Sequence, residues 1–198
     1  MISRDFIPYH KLLEELERIN TKGHKKINIY TIFDFNPLVF NSYLELYLKR
    51  KKLQPNIFSG EYDQMNQEII SSDKNKRFKK CELIIIGSDI NSKLSNNENE
   101  LEFYLKNLIN NLKNILSVSN KIKNLEIIFW NLSYLKSTFY NSKNQIYSNE
   151  KKINDFNYEL FELAKKYKNL NIFDIKKITN YIGIKNLYNE KNYYNSKI

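Results

Sequence analysis

Cysteine is nearly absent from these 198 residues, with Cys81 standing alone. A lone thiol cannot close an internal disulfide, so nothing here calls for an oxidising compartment. Glycine is almost as scarce: Gly23, Gly60, Gly87 and Gly183 are isolated from one another. Neither a G-x-G-x-x-G turn nor a G-x-x-x-x-G-K-[ST] loop can be built from them. That excludes the two usual backbone cradles for nucleotide phosphates. The only histidines are His10 and His24. With one cysteine, they are too few for a structural zinc site. Neither follows a strand end, where a catalytic base is expected. Long apolar runs are also missing. No stretch approaches the roughly 20 residues of a spanning helix, and the first eight residues hold no apolar signal core. The expected location is cytoplasmic, with no membrane partner.

What is present is positive charge and apolar bulk. The formal net charge is +10, from 32 Lys and Arg against 22 Asp and Glu. A basic balance suits an anionic partner. Here, however, the lysines are spread along the chain, and Lys, Asn, Ile and Tyr all have AT-rich codons. Nucleic acid is not the expected partner, because no RNP-like or helix-turn-helix signature accompanies the charge. The densest run, Lys49-Arg50-Lys51-Lys52, falls at a helix end, where cations suit the macrodipole. Hydrophobic residues make up 41%, enough for a core and against disorder.

The apolar periodicity alternates. Residues Pro8 to Asn20 read as a short amphipathic helix, with Leu12, Leu13, Leu16 and Ile19 on one face. Lys26 to Phe33 reads as a first strand. Pro37 starts a helix running to Lys52. Pro55 to Ser59 is a second strand, and Tyr62 to Ile70 a short helix. The run Leu83-Ile84-Ile85-Ile86 suits a central parallel strand covered on both faces. Asn97 to Lys121 is the longest helix, with Leu101, Leu105, Leu108, Leu112, Ile115 and Leu116 in step. Leu125 to Asn131 is a fourth strand, and Tyr134 to Ser148 a loop or broken helix. Glu150 to Tyr167 is a helix with Ile153, Phe156, Leu160, Phe161 and Ala164 inward. Leu170 to Phe173 and Ile175 to Ile182 are a last strand and helix.

Five such alternations, with no Pro/Gly/Ser linker, predict one α/β domain over residues 1–198. Its fold class is a three-layer α/β/α sandwich on a five-stranded parallel sheet. Residues 1–25 are its N-terminal helix and connection, and 183–198 its tail. Ligands of such sheets bind beyond the carboxyl ends of the strands. Phe35, Asn36, Ser59, Gly60, Glu61, Tyr62, Gly87, Asn91 and Asn131 are therefore the expected rim of a site. Asp34 and Asp89, also at strand ends, could meet magnesium but more often cap a helix or turn. No metal or other cofactor is expected. Cys81 sits beside Glu82, and an adjacent acid raises a thiol pKa, so a structural cysteine is expected.

Three segments, in their order and spacing, resemble the N-terminal domain of FkbH-like proteins (HAD subfamily IIIC) over nearly the whole chain. They are Ile32-Phe33-Asp34-Phe35-Asn36-Pro37-Leu38, the strand Leu83 to Asp89 with Gly87 at its end, and Ile172-Phe173-Asp174 followed by Ile182-Gly183-Ile184, Leu187-Tyr188, Tyr193-Tyr194 and Lys197. The segment Ser59-Gly60-Glu61-Tyr62-Asp63-Gln64 fits the same pattern.

The resemblance implies an SGNH-hydrolase-like fold of flavodoxin-like topology. It also implies a following HAD domain that moves a glyceryl unit from a glycolytic phosphate onto an acyl carrier protein. The expected setting is polyketide or surface-polysaccharide biosynthesis. The HAD motif D-x-D-x-T is not present, since Asp34-Phe35-Asn36 has the wrong third residue. The chain ends about where the HAD domain would begin, as a standalone domain, a truncated gene or a fragment would.

An SGNH hydrolase carries Gly-Asp-Ser after its first strand, where this chain reads Phe33-Asp34-Phe35. Its G-x-N-D reads Gly87-Ser88-Asp89-Ile90, and an ionised Asp89 would repel an oxyanion that asparagine stabilises. Its D-x-x-H base has no counterpart, because no histidine follows His24. The remaining catalytic candidates are Ser88, Asp89 and Asp34, with Asp89 as the only base considered for Ser88. The expected function is a non-catalytic module that binds or positions a HAD-type phosphatase or transferase, or an acyl carrier protein. Lys49, Arg50, Lys51 and Lys52 would steer an acidic carrier by charge. The alternative is an active esterase or acyl transferase with rearranged residues.

Overall fold

The computed structural model of the chain describes residues 8–61, 67–68, 78–90, 98–120, 122, 124–133 and 143–182. The elements are α1 (Tyr9–Arg18), β1 (Lys25–Phe33), α2 (Leu38–Arg50), β2 (Leu53–Ser59), a 3-10 turn (Phe78–Lys80), β3 (Leu83–Gly87), α3 (Glu98–Ser119), β4 (Glu126–Trp130), α4 (Lys143–Lys166), β5 (Leu170–Phe173) and α5 (Ile175–Ile182). The strands form one five-stranded sheet in the order β2-β1-β3-β4-β5. Every neighbouring pair is parallel. This is the expected α/β class. Among the described residues, no helix is long and apolar enough to cross a membrane.

Strand periodicity decides what each face buries. In β1, Tyr30 and Ile32 point into the larger core, where Ile84, Ile86, Ile127 and Phe129 meet Leu101, Leu105, Leu108, Leu112, Ile115 and Leu116 of α3. Ile153, Phe156, Leu160 and Leu163 of α4 complete that layer. Ile29, Phe33 and Ile85 point the other way, against Phe40, Leu44 and Leu48 of α2. The apolar run in β3 is buried on both faces, as a central parallel strand requires.

Several boundaries differ from the sequence reading. α4 begins at Lys143, not Glu150, because its first turns are rich in Lys, Asn and Ser and carry a helix without an apolar stripe. Phe161, expected inward, is 41% exposed, and Leu163 takes the inward place. Leu13, expected on the buried stripe of α1, is exposed, and only Leu12 is fully buried there. Of the helix expected over Tyr62 to Ile70, Gln67 and Glu68 are helical, and the rest lies outside the described residues. The tail from Gly183 lies outside them too.

Rings pack tightly over the end of β3. Phe33 and Gly87 are paired across β1 and β3, and the rings of Phe33 and Trp130 meet with centroids 5.1 Å apart. Phe35, Phe40 and Phe173 join the cluster. A Cβ on Gly87 would lie 2.5 Å from Phe33 and 2.8 Å from Trp130. The bare backbone at this position is therefore what lets the two rings close over β3. At Gly60, the nearest atoms an added Cβ would meet are those of the Glu68 side chain, at 3.1 Å, and the Thr31 carbonyl oxygen, at 3.7 Å.

Gly87→Ala is expected to cost about 1–3 kcal/mol through overpacking, and to lower the melting temperature by about 2–4 °C per kcal/mol at this chain length. Gly60→Ala should cost clearly less in the same urea and thermal titrations. Equal effects would show that the ring cluster is not what the glycine serves.

Candidate functional site

In the order 2-1-3-4-5 the chain leaves β1 for one side of the sheet and β3 for the other, which opens a crevice between their carboxyl ends. The register Phe33↔Gly87 then sets the next residues, Asp34 and Ser88, side by side. Asp34 is buried, at 6% exposure. Ser88 donates its hydroxyl to Asp34 Oδ2 at 2.6 Å, and Tyr104 of α3 donates to the same oxygen at 2.9 Å. The Asp89 backbone N–H donates to Asp34 Oδ1 at 2.8 Å. The Ser88 and Tyr104 hydroxyl oxygens are 2.8 Å apart. Three donors turned onto one buried carboxylate suit a negative charge.

The structure thus brings together all three catalytic candidates but redistributes their roles. The carboxylate beside Ser88 is Asp34, not Asp89. Asp89 is adjacent in sequence, but Asp34 is adjacent in space through the β1–β3 pairing, and Asp89 contributes its backbone. A nucleophilic serine needs a base whose proton affinity rises to the task, normally an imidazole held by a carboxylate. His10 lies exposed on α1, and His24 precedes β1 at the strand end opposite the crevice. Asp34 Oδ2 accepts from the Ser88 and Tyr104 hydroxyls, which engages that oxygen within the chain itself. Among the described residues, no group of three or more His, Cys, Asp or Glu converges as a metal site.

The rim residues divide into separate clusters. Asn36 accepts the Leu38 N–H and caps the start of α2. Ser59 is bonded by Asn41 Nδ2 at 2.8 Å and lies beside Thr31. Gly60 donates its N–H to the Thr31 carbonyl. The Glu61 N–H is accepted by Glu68, whose other oxygen takes the Tyr30 hydroxyl. Phe35 and Gly87 belong to the ring cluster. Asn131 is buried at the end of β4, donating to Asp174 Oδ1 and accepting the Lys176 N–H. Tyr62 and Asn91 lie outside the described residues.

The basic run sits at the carboxyl end of α2, just before β2, and so at the opposite end of the sheet from the crevice. Two of its cations are engaged with the chain itself. Lys49 pairs with Glu45 at 2.7 Å, and Arg50 holds Glu15 of α1 through Nε and a terminal nitrogen at 2.9 and 2.6 Å. Lys51 lies over the Tyr47 ring, and Lys52 adopts a left-handed φ of 59°.

Cys81 is buried within the larger core. Burial, with the Glu82 carboxylate adding to it, pushes its thiol up to about 11. The sequence had pointed to Glu82 alone; burial is the larger cause. Tyr104 and Glu68 were missed. Tyr104 lies one turn beyond Leu101, and the only signal it gave was a hydroxyl beside a leucine stripe.

A parallel, doubly wound α/β domain with a polar crevice at its switch point is the class these features define. Residues 34–198 match the family model described as FkbH, N-terminal domain, and the chain belongs to that family. No curated protein matches it in sequence. Among solved structures, the chain is similar to the N-terminal part of protein BF1531 from Bacteroides fragilis, described as containing a phosphatase domain and complexed with Mg. The TM-score is 0.77 at 15% identity, covering 97% of this chain. The chain spans about half of that protein's solved length, 51%.

Tyr104→Phe should lower stability by about 1.5–3 kcal/mol, the usual worth of a hydrogen bond to a charged group. Combined with Ser88→Ala, the loss should depart from additivity in urea unfolding, since both hydroxyls share one acceptor. Cys81 should resist Ellman's reagent at pH 8 in the native state and react fully once unfolded. Its folded pKa is raised, so its contribution is constant below about pH 9 and stability falls as pH climbs from 9 towards 11. Rapid native labelling would contradict the burial.

Proposed function

We propose that this FkbH N-terminal domain binds or positions a partner and does not itself turn over an ester. The observation that carries this reading is the Asp34 cluster: Ser88 is held as one of three donors to a buried carboxylate, with both histidines placed elsewhere. A carboxylate stabilised in its ionised form by such donors is a poor base for the serine proton. The SGNH comparison supports it. Phe35 stands where the nucleophile would follow Asp34, and no histidine follows His24 to supply the D-x-x-H base.

The partner we propose is a HAD-type phosphatase or transferase domain, separate or joined, or the acyl carrier protein such a domain serves. The similar structure from Bacteroides fragilis supports the first, because there the corresponding region accompanies a phosphatase domain. For carrier docking, the basic run contributes chiefly Lys51 and Lys52, both exposed. Reversing these two charges leaves the Lys49 and Arg50 ion pairs intact. It should weaken binding of an acidic carrier and flatten its salt dependence; unchanged affinity would remove the run from the interface.

One observation favours a second reading, an active hydrolase rebuilt around Ser88: the 2.6 Å contact with Asp34. Hydrolysis of short-chain nitrophenyl and acetyl-sugar esters by the whole chain decides between them. We expect rates equal to those of Ser88→Ala and Asp34→Asn. Turnover abolished by either substitution in a folded protein would establish the hydrolase.

A further inference from the structure

Lysines that are scattered in the sequence are gathered by the topology. The neighbouring strands β2, β1 and β3 each begin at a pair of them: Lys51 and Lys52 before β2, Lys25 and Lys26 opening β1, Lys79 and Lys80 before β3. All six are exposed. Among the described residues, none of the six enters an ion pair. The same strands end at acids, Glu61 after β2, Asp34 after β1 and Asp89 after β3. These strands therefore carry opposite charge at their two ends. The macrodipole accounts for part of this, since Lys51 and Lys52 follow the carboxyl end of α2. Lys25, Lys26, Lys79 and Lys80 stand at no α-helix end.

The edge is also fastened together. Asn28 of β1 donates its side-chain N–H to the Lys80 carbonyl at 3.2 Å and its backbone N–H to the Glu82 carboxylate at 2.6 Å. Its side-chain oxygen accepts from Asn56 of β2 at 3.2 Å. One residue thus ties the starts of all three strands, and the lysine pairs stand in one row. Glu82 at this edge, Glu17 near the end of α1 and Glu126 opening β4 keep their full negative charge. Against six ammonium groups, these three carboxylates leave the balance positive.

We infer that this amino-terminal edge is where the domain receives an acidic protein surface. The inference rests on the reading above that the domain binds or positions a partner, and it extends the docking face from Lys51 and Lys52 to three strands. Neighbouring strands lie about 4.8 Å apart, so the row is about 10 Å across, close to the width of one α-helix with its side chains. A carboxylate-bearing helix of a partner fits that width. The mobile lysine ammonium suits steering of such a surface. A phosphate backbone is better met by arginine forks, and the described arginines, Arg18 and Arg50, are turned onto Glu14 and Glu15. A partner held here leaves the Asp34 crevice, at the other end of the strands, open.

Titration of a fluorescently labelled acyl carrier protein, as the acidic protein, with the whole chain at physiological ionic strength tests it by anisotropy. The pair Lys25→Gln, Lys26→Gln and the pair Lys79→Gln, Lys80→Gln should each weaken binding at least about threefold, and all four together at least about tenfold. The pair Lys151→Gln, Lys177→Gln removes the same charge from exposed positions away from this edge and should change affinity less than about twofold. All these positions are exposed, so unchanged melting temperatures confirm folding. Equal losses in the control pair would reduce the effect to net charge and overturn the inference. Losses confined to Lys51 and Lys52 would overturn it while leaving the carrier reading in place, and no binding by the unaltered chain would remove both. Duplex DNA bound more tightly than the carrier would assign the edge to nucleic acid and overturn it as well.

Discussion

Where β1 and β3 end together, a missing side chain sets the arrangement on both sides of it. Gly87 faces Phe33 across the parallel ladder, and its bare backbone lets the Phe33 and Trp130 rings meet over β3. That contact bridges three neighbouring strands, β1, β3 and β4, at their carboxyl ends. One residue further on, the same register puts Asp34 against Ser88. The apolar closure beneath and the polar closure above thus rest on one pairing, and a Cβ at Gly87 would press on both. Gly87 is thus a packing device.

The polar closure reaches beyond two strands. Tyr104 brings α3 to the same carboxylate oxygen, and the Asp89 N–H fixes the turn that leaves β3. A carboxylate surrounded by donors in a partly buried crevice is strong as an anchor and weak as a base. The charge distribution is arranged in the same inward manner. Lys49 and Arg50, the most concentrated positive charge in the sequence, are tied to Glu45 and to Glu15 of the neighbouring helix. Net charge alone misstates how much of it faces a partner.

The fold was legible because its signals are local. An apolar run of four residues names the central strand, and a stripe of five leucines and one isoleucine names α3. The limits were local as well. The first turns of α4 carry helix without an apolar stripe, so periodicity could not extend it back to Lys143. Phe161 was counted as core because rings are commonly buried, and nothing in its neighbours marks it as facing water. The candidate site was half legible. Topology pointed to the strand ends, and Asp34 and Ser88 were both named there. Their pairing depends on a register between strands some fifty residues apart, which no local pattern records. Tyr104 enters from a helix later still in the chain. Sequence adjacency suggested Asp89 as the partner of Ser88, and spatial adjacency replaced it with Asp34.

The central claim is that Ser88 is held by Asp34 as a hydrogen-bond donor and is not raised to a nucleophile. Intact-mass spectrometry after incubation with a fluorophosphonate probe tests it most directly, because the probe reports nucleophilicity whatever the natural substrate. The account predicts an unmodified chain at times when a working serine hydrolase is fully labelled. A stoichiometric adduct mapped to Ser88, and lost in Asp34→Asn, would contradict it.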